Sequence, residues 1–268
     1  MREYLHAPDI KKEACHSIYY LCQAVKGPEL ENITVESFTI RGAAILTDSR
    51  VLITHENPKS PISEAYRMLR TNILFSNLDR PLKSFEVTSF SVNEGKTTTV
   101  ANLAVIFSQQ GSRVLLIDAD LRKPVIHRIF GFENNNGLTD ILLKHDDYAK
   151  YIKRSQIEHL DVLVCGTIPP NPSELLLSRA MRNLIQQVRD CYDIVLIDAP
   201  PVGIVTDAAI TSTMVDGVIL VAASGKVTVD ELLRAKELLN KVNANIIGVV
   251  LNKINQKSAG YYYNHYYG

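Results

Sequence analysis

A doubly wound α/β protein, with a mostly parallel sheet flanked by helices on both faces, is what these 268 residues predict. Two observations carry that expectation. From Phe85 onward six short β-branched runs recur, FEVTSF, RVLLID, LDVLVC, DIVLID, GVILVA and IIGVVLN, with helix-length stretches between them, as in a chain of βαβ units. The runs are apolar almost without alternation, which suits strands buried on both faces.

Residues 1–50 are of mixed polarity without a clean period; a strand pair around 34–48 is the one element they suggest, and no chemistry attaches to them. His55–Pro61 reads as a turn-rich linker, and a helix begins near Pro61, since proline suits a first helical turn. At about 100° per residue, Ile62, Tyr66, Leu69 and Ile73 share one face of it, while Glu64, Arg67 and Arg70 project from the opposite side. That spacing serves either an ion pair on a solvated helix or a contact with another molecule. Residues 97–110 form a helix with Val100, Leu103, Ala104 and Phe107 on one stripe. Another starts at Asn171-Pro172-Ser173-Glu174, with Asn171 as cap and Glu174 favouring the dipole. A Thr228-x-x-Glu231 capping box opens a helix over 229–242. The end, KSAGYYYNHYYG, has no core-forming period. The expected division is residues 1–50, a domain over 51–258 and a tail over 259–268.

With 29 basic and 29 acidic residues the chain is formally neutral, so nothing favours nucleic acid as a partner. The longest apolar runs, Gly217–Ala223 and Ile246–Leu251, fall far short of the roughly 20 residues of a membrane span, and the start lacks a signal-peptide core. A cytoplasmic protein is expected. Cys15, Cys22, Cys165 and Cys191 show no paired metal spacing and fit reduced thiols.

Chemistry concentrates in three places. FSVNEGKTTT, residues 90–99, lies between a strand and a helix, the setting of a phosphate-binding loop. There the backbone amides of Asn93, Glu94, Gly95 and their neighbours converge on phosphate, Lys96 spans the β- and γ-phosphates, and the hydroxyl of Thr97, followed by Thr98, binds Mg²⁺. The usual pattern has glycine five residues before Gly95, where this chain has Phe90; Asn93 tolerates the left-handed conformation such a loop needs. VLLIDADLRKP, residues 114–124, and DIVLIDAPP, residues 193–201, each end a buried strand on acid, at the edge where open α/β sheets place ligands. Asp118, Asp120 and Asp198 can therefore gather beside Lys96 and Thr97, where carboxylates suit Mg²⁺.

GKTTT, LLIDADLRKP and LIDAPP together resemble the Walker A, A′ and B motifs of the deviant-Walker P-loop ATPases. Glu64-Ala-Tyr-Arg67-Met-Leu-Arg70 is similar to the E-x-x-R-x-x-R motif of the bacterial tyrosine kinases, and the tail to their tyrosine cluster. The resemblance runs from about residue 50 to the end and is nearest to kinases of Gram-positive capsule and exopolysaccharide operons. It implies an ATP- and Mg²⁺-dependent protein-tyrosine autokinase. By analogy Asp118 is the base, Thr97 holds Mg²⁺ directly, and Asp120 and Asp198 act mainly through its waters. Tyr261, Tyr262, Tyr263, Tyr266 and Tyr267 are then acceptors in trans, and Glu64, Arg67 and Arg70 hold a ring oligomer. It further implies a membrane modulator, the cytoplasmic tail of a polysaccharide co-polymerase, which recruits the protein to the inner face of the membrane, and a cognate tyrosine phosphatase. Val92-Asn93 departs from the family's Pro-Gly. The alternatives are a partitioning or division-site ATPase switch, whose extra signature lysine falls where this chain has Phe90, and a scaffold whose altered loop no longer turns over.

Overall fold

Apolar runs without alternation leave no solvated face. In the computed structural model, which describes residues 19–21, 52–76 and 81–253, all six are strands of one sheet. Among the described residues, the strands are β1 (Tyr19–Leu21), β2 (Ser84–Ser89), β3 (Val114–Asp118), β4 (Lys153–Arg154), β5 (Leu160–Leu163), β6 (Ile194–Asp198), β7 (Gly217–Ala223) and β8 (Ile246–Asn252). Their order is β1-β8-β7-β2-β6-β3-β5-β4. All pairings are parallel except the two edges, where β1 runs against β8 and β4 against β5. The tyrosine cluster Tyr261–Tyr267, the strand pair around 34–48, Cys15 and Cys22 lie outside the described residues.

The helices are α1 (Ile53–Glu56), α2 (Pro61–Phe75), α3 (Lys96–Ser108), α4 (Ile126–Ile129), α5 (Leu138–Lys144), α6 (Pro172–Leu177), α7 (Arg179–Cys191), α8 (Asp207–Thr211) and α9 (Val229–Asn240). Successive strand residues face opposite ways. Val114 and Leu116 of β3 therefore pack with α2 and α3, while Leu115 and Ile117 pack with α5, α6 and α7 on the other side. Val218 and Leu220 of β7 meet Ala208, Ala235 and Leu239 of α8 and α9. Phe85 of β2 stacks on Phe107 of α3 with ring centroids 6.3 Å apart. Such a pair adds about 1 kcal/mol beyond the area it buries.

Several local expectations are corrected. The helix over 97–110 spans Lys96–Ser108 and is buried all round from Thr99 to Ser108, because sheet and helices enclose it. The linker at 55–61 begins inside α1, whose buried Thr54 donates from its N–H and hydroxyl to Asn102 Oδ1 at 3.0 and 2.9 Å. Asn171 makes no backbone cap; its Nδ2 donates to Glu174 Oε2 instead. The helix it opens stops at Leu177, and Ser178 caps α7 through Met181 N–H. The Thr228–Glu231 box forms in full.

Glu86 stands in the middle of β2 with no exposure. Its Oε2 accepts from Thr211 Oγ1 at 2.5 Å, and its buried Oε1 has no partner among the described residues. Burial pushes this carboxyl up to about 8 against the opposing Thr211 hydrogen bond, and Asp198 adds to the rise. An acid raised in the fold stabilises it below its unfolded pKa of 4.5, and that contribution drains away as pH rises toward 8. Glu86→Gln should therefore match the parent at pH 5 and exceed it at pH 8.5 by a few kcal/mol in urea unfolding.

Candidate active site

β2 delivers the phosphate loop. Beyond Ser89 the chain turns through Phe90–Gly95 and enters α3 at Lys96. Asn93 has φ 59, the left-handed conformation its side chain tolerates, and Gly95 has φ 95. A Cβ at Gly95 would stand 2.0 Å from Asn252 Nδ2, so only glycine fits. Glu94 folds back under the loop: its carboxylate accepts from Ser91 N–H and, at 3.3 Å, from Ala223 N–H. Burial raises this carboxyl to about 7.

β3 and β6 lie side by side and end in register, Asp118 opposite Asp198. Parallel strands thus place both acids at the rim where α3 starts. Lys96 Nζ donates to Asp120 Oδ2 at 3.0 Å and Asp198 Oδ1 at 3.4 Å, and Thr97 Oγ1 donates to Asp198 Oδ2 at 2.7 Å. Burial alone would lower the Lys96 ammonium, yet Asp198 and Asp120 outweigh it and leave it raised. Asp118 Oδ2 accepts from the amides of Val125 and Ile126 at 3.1 and 3.0 Å. Its Oδ1 is buried without a partner among the described residues. Burial, then the charge of Asp198, holds the Asp118 carboxyl well above the usual carboxylate range. Burial also raises Asp198.

The structure places Asn93, Glu94 and Gly95 on the loop, Lys96, Thr97 and Thr98 at the start of α3, and Asp118, Asp120 and Asp198 at or just beyond the ends of β3 and β6. A hydroxyl and carboxylate oxygens around one cation are hard donors, the set Mg²⁺ prefers. The unsatisfied Asp118 Oδ1 shows that the cluster has acceptor capacity to spare. The residues fit a magnesium nucleotide.

Sequence reading missed two supports. Lys226 Nζ, Lys253 Nζ and Asn252 Nδ2 donate to the loop carbonyls of Val92, Asn93 and Glu94; the last two bonds measure 2.7 and 3.0 Å. Their signal was a polar Asn-Lys pair ending the apolar run IIGVVLN at the same rim. Arg122, following the Asp118–Asp120 turn, donates from Nε and Nη2 to the buried Asp207 at 2.8 and 3.1 Å, with Ser173 as third member.

On the helix motif, Glu64 and Arg67 form the ion pair that the spacing allowed, whereas Arg70 does not project outward as expected. Glu64 is exposed and Arg67 pairs with it at 2.7 Å while also donating to Pro58 O at 2.6 Å. Arg70 instead tucks Nε and Nη1 out of solvent with no hydrogen-bond partner among the described residues. Tyr66, Leu69 and Ile73 are buried as expected, and Ile62 is half-buried.

A family model described as an AAA domain matches residues 92–248. The chain is 47% identical over 216 residues to "Tyrosine-protein kinase YwqD" of Bacillus subtilis, covering 80% of this chain and 91% of that one. The chain belongs to the bacterial tyrosine-protein kinase family. "Putative tyrosine-protein kinase CapB" of Staphylococcus aureus is 41% identical over 218 residues, 81% of this kinase and 95% of CapB. Among solved structures, "the chimerical protein CapA2B2" matches with a TM-score of 0.74 and 45% identity, over 80% of this kinase and 94% of that chain. The resemblance drawn from the motifs is confirmed, and the P-loop fold with it. No helix among the described residues is long and apolar enough to cross a membrane.

Proposed function

We propose that this kinase transfers the γ-phosphoryl group of ATP to tyrosines of its own C-terminal cluster, Tyr261, Tyr262, Tyr263, Tyr266 and Tyr267, in trans within a ring, and thereby regulates capsular or exopolysaccharide synthesis. The observation that carries the reading is the convergence of Lys96, Thr97, Asp118, Asp120 and Asp198 on one rim. The phenol oxygen bonds to the γ-phosphorus, the bond to the ADP oxygen breaks, and the phenol proton goes to a carboxylate. Asp118 suits that proton best: its Oδ1 is unsatisfied and its pKa is raised, whereas Asp120 and Asp198 face Lys96. Lys96 and the loop amides stabilise charge on the transferred group. Mg²⁺, held by Thr97 with Asp120 and Asp198, would neutralise phosphate charge when bound. Glu64, Arg67 and Arg70 sit on α2, on the outer layer of the fold, and serve as subunit contacts. A domain over 51–258 with a tail over 259–268 fits this division of labour. A membrane protein's cytoplasmic tail would recruit and activate the cytoplasmic kinase, and a tyrosine phosphatase would reset it.

The test is anti-phosphotyrosine detection on purified protein given Mg·ATP. Replacing all five tail tyrosines with Phe should remove the signal, and an inactive Lys96→Met chain should acquire it when mixed with active protein. Ten tail residues reach at most about 35 Å, so subunits must be adjacent. Replacing Glu64, Arg67 and Arg70 by Ala should give a folded monomer by light scattering, with weak, concentration-dependent phosphorylation. An unchanged oligomer mass would return the helix motif to a solvated ion pair, and signal surviving the Phe substitutions would move the acceptors elsewhere.

A further inference from the structure

The phosphate loop does not hold its own shape by covalent means. It contains no proline, and two of its residues, Asn93 and Gly95, sit at positive φ. What it has instead is a set of outside donors on three successive carbonyls: Lys226 Nζ on Val92 O, Lys253 Nζ on Asn93 O and Asn252 Nδ2 on Glu94 O. All three come from one side, the turn after β7 and the end of β8. In a trans peptide the carbonyl of one residue and the amide of the next point in opposite directions. Drawing these carbonyls toward β8 therefore turns the amides of Asn93, Glu94 and Gly95 away from it. Those three amides have no acceptor among the described residues. Successive amides aimed one way make an anion-binding concavity.

We propose that Lys226, Asn252 and Lys253 are positioning residues for phosphoryl transfer, which set the phosphate loop's amides in their anion-binding orientation by holding the carbonyls of Val92, Asn93 and Glu94. None of the three need touch the nucleotide. Asn252 is buried and fixed, and its side chain fills the space that the missing Cβ of Gly95 leaves open. The two lysines are exposed or half-buried, so their replacement spares the core. Burial, with help from neighbouring Lys226, lowers the Lys253 ammonium, and the carbonyl of Asn93 is its hydrogen-bond acceptor at 2.7 Å.

The test uses the full chain and its Lys226→Met, Lys253→Met, Lys253→Arg and double-Met variants. The probes are Mg·ADP, Mg·pyrophosphate and adenosine, with ATP for kinetics. Each single Met variant should bind ADP and pyrophosphate about tenfold more weakly and raise the KM for ATP to match. The double variant should lose more than either, adenosine affinity should stay constant, and Lys253→Arg should recover most of the loss. Thermal unfolding without nucleotide should not move. The proposal is overturned by unchanged ADP and pyrophosphate affinity, by equal weakening toward adenosine, which would mean contact with the base, or by a loss that tracks a lowered melting point.

Discussion

Lys96→Met should abolish autophosphorylation, lowering the rate about a thousandfold or more, in a domain that still folds. Among the described residues the ammonium is the one cation paired with both Asp120 and Asp198, at 3.0 and 3.4 Å, and a donor aimed at developing phosphoryl charge contributes most where water is excluded. The same geometry sets the effect on stability. Removing one partner of a buried pair costs about 3–5 kcal/mol if the other stays charged. Asp198, already raised by burial, can take up a proton instead. A folded-state pKa raised further gives stability that is present at low pH and lost as pH rises. The variant should therefore melt close to the parent at pH 5.5 and well below it at pH 8.5, by circular dichroism. Comparable phosphorylation in a folded Lys96→Met protein would remove the assigned site.

Asp118→Asn should leave Mg·ADP binding near parental and lower the phosphoryl-transfer rate by about a hundredfold to a thousandfold. The amide oxygen can keep the bonds from Val125 and Ile126 N–H, so the loop after β3 retains its anchor. What disappears is Oδ1, the proposed proton acceptor, together with the ionisable carboxyl beside Asp198. Because the Asp118 carboxyl is raised in the fold, its ionisation opposes folding as pH rises, and Asn should stabilise the protein increasingly toward pH 8.5. A variant more stable, still binding nucleotide and nearly inactive is the signature of a base. Activity close to parental, with nucleotide affinity and stability as described, would assign proton acceptance to another group.

The sheet was legible because most of its strands are buried on both faces, which writes them as nearly unbroken apolar runs; DIVLID and GVILVA need no context to be read, whereas FEVTSF buries Glu86, Thr88 and Ser89 among its apolar residues. The rim acids were legible for the same reason, since the strand ends are visible where the apolar run meets Asp118 or Asp198. Elements whose form depends on neighbours were not. Ser178 ends one helix and caps the next, and nothing in its own sequence distinguishes that from one continuous helix. Arg70 continues the polar spacing of Glu64 and Arg67, yet it is drawn inward against its layer. The donors on the loop carbonyls are 134, 158 and 160 residues from their acceptors, a distance over which local pattern carries no information. β1 pairs with β8 across more than half the chain and left no period to recognise.

Ten successive residues of α3, Thr99–Ser108, are shut away from solvent. Their amides can exchange with deuterium only when the sheet and α2 separate, so this helix reports the global opening free energy. α9, buried only at Ala235 and Leu239, can open locally at much smaller cost. The helix that follows the phosphate loop is accordingly a stiff strut. It cannot melt to release a nucleotide, and a push on α2 reaches Lys96 as a rigid displacement rather than as loosening.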